Sequence, residues 1–130
     1  MAKVSGGVDV CKANHHAYKD AMTQEFLHHI DASAYIIPVW DYEHIQPAVI
    51  QRMALQSSAN EDVNIFPTHY PTHLRKKYAN EPWTSSVSEQ DGHVVVKVLE
   101  KGQAYKIYVL SAQDEQMMVA AVYGPYETEL

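Results

Sequence analysis

The alternation of apolar and polar positions is clearest in the last forty residues. Residues 93–100, 103–111 and 116–123 form three β-type runs, separated by Lys101-Gly102 and by Gln113-Asp114-Glu115. Gaps of turn length between strands predict antiparallel pairing as a meander. In the first run Val94, Val96 and Val98 alternate with His93, Val95, Lys97 and Leu99. In the second, Tyr105, Ile107 and Val109 alternate with Lys106, Tyr108 and Leu110. One face is therefore strongly apolar, and the other keeps Val95, Leu99, Tyr108 and Leu110. A sheet of this kind packs helices on its first face. Its second face is left to meet a loop, the C-terminus or another chain.

Upstream, the pattern predicts helices. Tyr18, Met22, Phe26 and Ile30 recur at four-residue steps, with Cys11 one heptad before Tyr18. That stripe predicts an amphipathic helix from an Asp9 cap to about residue 29 or 30. Residues 34–40 (Ala-Tyr-Ile-Ile-Pro-Val-Trp) read as a short extended segment, which Pro38 confines to an edge or breaks. A second helix is expected from Asp41 or Gln46 to Ser57, with Pro47 in its first turn. Residues 58–71 read as loop, 72–78 as a short helix, and 80–91 as loop again. Residues 1–7, with Ser5-Gly6-Gly7, are expected to fray.

Helices first and strands last argue an α+β fold. The expectation is one domain over residues 1–130, with two N-terminal helices packed on one face of a C-terminal antiparallel β-meander of three strands. Residues 34–40 are available as a fourth strand.

Composition narrows the function classes. The chain has 130 residues and a net charge of −6, with ten basic and sixteen acidic side chains. A surface that neutralises phosphates needs clustered Lys and Arg, so nucleic acid is not an expected partner. The one basic cluster, Arg75-Lys76-Lys77, reads as a solvated helix face. A single cysteine rules out an intramolecular disulfide and a thiolate-rich zinc site. No apolar run has the length of a signal peptide or a membrane span, so the expected setting is the cytoplasm. Gly6-Gly7 lacks the further glycine and the lysine of a phosphate loop, and no cofactor is predicted.

Eight histidines, at 15, 16, 28, 29, 44, 69, 73 and 93, raise the question of a metal. Glu25-x-x-His28 and Asp41-x-x-His44 have the spacing of di-iron helices, but that site needs four long helices. His69 and His73 are four apart, with Pro71 between them against a continuous helix. A loop gathering His69 and His73, with His44 or His93 as a third ligand, is the one workable metal hypothesis.

A Cys–His enzyme is the other catalytic reading. Cys11 near a helix start is the candidate nucleophile, since a helix N-terminus lowers a thiol pKa. His93, opening the first meander strand, is the candidate base. A cysteine opening a helix and a histidine opening a strand is similar to the layout of papain-like amidases. The likeness covers only those two short pieces and includes no orienting third residue.

A binding module is the most economical reading. Nine tyrosines, two tryptophans and five methionines serve a chain with two phenylalanines. Tyr, Trp and Met combine apolar area with polar or adaptable ends and are common at interfaces. A protein partner or self-association, with a two-fold homodimer as default, follows. A small hydrophobic ligand held by Trp40, Tyr105, Tyr108 and His15 is the companion hypothesis.

Overall fold

The computed structural model describes residues 7–41, 44–55 and 63–128. These fall into two compact units, Met1–Ser88 and Glu89–Leu130. The architecture is mixed α and β, with one parallel and one antiparallel sheet of three strands each. No helix among the described residues is long and apolar enough to cross a membrane.

In the first unit, strands and helices alternate. β1 (Val10–Lys12), β2 (Ala34–Ile37) and β3 (Asn64–Pro67) form the parallel sheet in the order β1-β2-β3. α1 (Gln24–Ile30) joins β1 to β2, α2 (Pro47–Leu55) joins β2 to β3, and α3 (Thr72–Lys77) follows β3. An isolated parallel bridge from Ile65 to Val87 extends the sheet beyond β3. Leu27 and Ile30 of α1, and Val49, Ile50 and Met53 of α2, share one apolar core with Tyr35, Ile37 and Ile65 of the sheet. The helices therefore bury their apolar sides within a parallel-sheet unit of their own. Segregation of helices from strands does not hold here.

The single helix expected over residues 9–29 is replaced by three elements. Val10–Lys12 is a strand in register with Ala34–Ile36. Asn14–Ala17 is a 3₁₀ turn, and only Gln24–Ile30 is α-helical. Asp9 caps no helix; its carbonyl accepts from the backbone N–H groups of Ser33 and Ala34. The helix cap is Thr23, whose Oγ1 accepts from the Phe26 N–H at 3.2 Å. The four-residue rhythm is thus shared between α1 and the turns before it.

Residues 34–40 are not a fourth meander strand. Ala34–Ile37 is the central strand of the parallel sheet, paired with β1 and β3. Pro38 lies just past the ladder, where its missing N–H costs nothing: the Ile36 and Ile37 carbonyls accept from Ala13 and Thr68. Within the expected loop 58–71, Asn64–Pro67 is strand β3, because Ile65, Phe66 and Pro67 are buried. Residues 58–62 of that region, residues 56–57 at the end of the expected second helix, and residues 1–6 of the expected frayed terminus lie outside the described residues. The second and third helices form near their expected positions, at Pro47–Leu55 and Thr72–Lys77.

In the second unit, β4 (His93–Leu99), β5 (Ala104–Leu110) and β6 (Val119–Glu127) form the antiparallel meander in the order β4-β5-β6. Gly92 precedes β4 at φ +152°, where any Cβ would collide with the Leu110 carbonyl. β6 starts and ends later than the expected 116–123. Two register shifts against β5 let it run past Gly124-Pro125. Tyr105, Ile107 and Val109 are buried on one face of β5. Tyr108 and Leu110 project to the other face.

Candidate functional site

In a parallel sheet the C-terminal ends of all strands share one edge, the usual place for sites in α/β folds. Here that edge gathers histidines. His15 and His16 follow β1, His44 lies in the segment after β2, and His69 follows β3. The histidine after β1 is held by the segment after β2: His16 Nδ1 lies 2.6 Å from the Pro38 carbonyl oxygen. A carbonyl only accepts, so Nδ1 carries a proton, and in the neutral ring Nε2 keeps a lone pair. His44 has the opposite tautomer. Its Nδ1 accepts from the N–H groups of Trp40 (3.0 Å) and Asp41 (3.1 Å), which leaves the proton on Nε2. The two rings stack with centroids 4.1 Å apart and planes 7° from parallel. The Val39 N–H donates to Thr68 Oγ1 at 2.8 Å, tying the segment after β2 to the one after β3.

The backbone here is strained. His15, His16 and Ala17 all take left-handed φ, at 44°, 53° and 55°. Each such non-glycine residue costs of order 1–3 kcal/mol and persists where its surroundings over-determine it. His15 is fixed by Asp20, with Nδ1 2.8 Å from Oδ1, and sits edge-on to Tyr18. Trp40 is 88% exposed on this edge.

These tautomers decide what the edge can do. His16 offers a lone pair at Nε2, fit for a base or a ligand. His44 offers an N–H donor at Nε2, because its other nitrogen is already accepting. Chelation of one ion by both rings is therefore closed while these bonds stand. Among the described residues, no group of three or more His, Cys, Asp or Glu side chains is placed to hold a metal ion. His69 is exposed after β3, and His73 is exposed on α3.

Cys11 does not open a helix. It lies on β1, half-buried, with its thiol 3.4 Å from the Lys12 carbonyl. Burial pushes the thiol pKa up, and the nearby Lys12 charge only partly opposes this. The helix N-terminus that was to activate it is absent at this position. His93 opens β4 as expected and is exposed there. In the expected aromatic pocket, Tyr105 and Tyr108 lie on opposite faces of β5, since side chains alternate along a strand.

Arg75 of the basic cluster is structural. Its guanidinium donates to the carbonyls of Tyr70 and Ser88 and lies over the Tyr70 ring, 4.8 Å from the centroid. Lys76 and Lys77 complete the last turn of α3, where positive charge suits the carbonyl end of a helix.

The second face of the meander is the other notable surface. Val95 pairs with Tyr108, and Tyr108 with Val122, giving one row across all three strands. The adjacent row is His93, Leu110 and Val119. Val95, Val119 and Val122 are 42%, 54% and 50% exposed, and Met117 and Met118 beside them are also exposed. Scattered exposed valines are ordinary, whereas contiguous rows of them mark interaction surfaces.

Comparison with protein-family models, curated proteins and solved structures finds no match to the chain.

Proposed function

We propose that this protein acts by binding protein through the outer face of its meander, with its own copy as the partner. The observation that carries this is the in-register row Val95–Tyr108–Val122, continued by Leu110 and Val119. This row leaves large apolar side chains in water, at a cost of roughly 25 cal/mol per Å² of apolar surface that a partner would cover. Tyrosine at its centre combines apolar area with a hydroxyl, as interface residues do. The single free thiol suits a reducing compartment, and the cytoplasm is the simplest setting.

Methyl NMR over a dilution series tests this reading. The Val95, Val119 and Val122 methyl resonances should shift with concentration, while those of Ile37 and Ile50 in the parallel-sheet core stay fixed. Valine methyls on this face that are insensitive to concentration would count against it.

A further inference from the structure

We propose that His16 and His44 form a two-proton switch, in which the first proton leaves the segment after β2 fixed and the second releases it.

A histidine ring ordinarily takes up a proton between about pH 5 and 8. The two rings of this stack differ in what that proton meets. In His16 the nitrogen open to it is Nε2, while Nδ1 lies 2.6 Å from the Pro38 carbonyl oxygen. A proton added at Nε2 leaves that bond in place, and a charged donor strengthens it. In His44 the nitrogen that would take the proton is Nδ1, and it is already accepting. Its donors are the Trp40 N–H at 3.0 Å and the Asp41 N–H at 3.1 Å. An imidazolium has donors at both nitrogens and no acceptor. Protonated His44 therefore turns an N–H toward two N–H groups, and both bonds are lost.

The stack sets the order. Ring centroids 4.1 Å apart and planes 7° from parallel put His16 over the face of His44. One charge over a neutral ring is tolerated, whereas two like charges at that separation repel. His16 charges without losing a bond. His44 charges only by losing two and by facing a charged neighbour. The first proton accordingly goes to His16, and the second opens the segment. The Val39 N–H stays bonded to Thr68 Oγ1, which confines the release to the residues beyond it. Those residues begin with Trp40, whose exposed indole the switch governs.

Charged and titratable groups on the adjoining elements are these. Lys12 ends β1, and His15, Lys19 and Asp20 follow it. Asp41 and Glu43 precede His44 in sequence, Arg52 lies on α2, and His69 follows β3. Asp20 is committed to His15, at 2.8 Å, and Arg52 to the Met22 and Ala21 carbonyls. Among the described residues, no carboxylate is in ion-pair contact with His16 or His44. The backbone bonds and the stack thus decide which ring charges first.

An NMR titration from about pH 8 to about pH 5, above the ordinary carboxylate range, tests this. It follows the ring nitrogens of both histidines and the amide signals of Trp40 and Asp41. His16 should charge first, with the two amides unmoved. The amides should then shift together with the charging of His44. His16→Phe keeps a flat ring but takes no proton. Where little of the wild type is released, this variant should raise the released fraction about fivefold or more, as a like charge 4.1 Å away is removed. In the wild-type protein alone, charging of His44 before His16, or amides that stay put when His44 charges, overturns the switch. A His16→Phe protein that releases at the same pH as wild type overturns the coupling between the rings.

Discussion

The imidazoles of His16 and His44 stack 4.1 Å apart in opposite tautomers, each fixed by backbone of the segment that follows β2. His44 is the acceptor for two adjacent N–H groups, those of Trp40 and Asp41. Alanine at position 44 leaves both without that partner. His44→Ala should cost about 0.5–1.5 kcal/mol of unfolding free energy, the net worth of ordinary hydrogen bonds, because Trp40 and Asp41 are exposed and water can take the place of the lost acceptor. It should also speed hydrogen exchange at Trp40 and Asp41. Unchanged exchange at those two amides would show that His44 does not organise the segment.

A second prediction concerns Arg52 of α2. Its Nε donates to the Met22 carbonyl at 2.9 Å and its Nη2 to the Ala21 carbonyl at 3.0 Å. These carbonyls belong to the turn leading into α1, where Met22 is buried at a left-handed φ of 53°. Arg52→Ala should lower stability by about 1.5–3 kcal/mol, as loss of hydrogen bonds from a charged donor implies. Arg52→Lys should recover little, because an ammonium lacks the fork that spans both carbonyls. Urea unfolding of the two variants decides it, and a lysine variant equal to wild type would contradict the clamp.

Tyr35 sets a third, at alkaline pH. Burial raises its phenol from 10.0 to about 12, against the smaller lowering effect of the Ala32 N–H that it accepts. Between those values the unfolded chain has lost the proton and the folded chain keeps it. The folded state then binds more protons, so stability falls as pH rises. The stabilisation is complete below pH 10 and is lost on approaching pH 12. The thiol of Cys11 and the phenols of Tyr70 and Tyr126 are raised by burial too and act in the same direction. Unfolding free energy measured from pH 9 upward should fall less steeply for Tyr35→Phe than for wild type. Parallel slopes would place the phenol in water.

The meander was legible because period-two alternation and turn-length gaps are local signals. The parallel sheet was not, for identifiable reasons. β1 is three residues long, too short for alternation to register. Tyr18 and Met22 happen to fall in helical phase with Phe26 and Ile30, although only the last two lie on α1. Pro38 argued against a central strand, yet the strand ends one residue before it. The usable signal was the succession of short, largely apolar stretches, at residues 8–11 (broken by Asp9), 34–37 and 63–67 (broken by Asn64), each followed by a polar segment and then a helix. That succession is how a parallel sheet reads in sequence. His16 and His44 meet only through this topology, so no spacing along the chain could pair them. The apolar second face of the meander, by contrast, was readable from Val95, Tyr108 and Leu110 alone.

The central claim is that this second face binds, and that its first partner is another copy of the chain. Light scattering coupled to size exclusion, on wild type and Val122→Asp across a wide concentration range, tests it most directly. Wild type should show twice the chain mass, falling toward one chain on dilution, and folded Val122→Asp should show one chain at every concentration. A single-chain mass for wild type throughout, or a dimer unaffected by Val122→Asp, would contradict it.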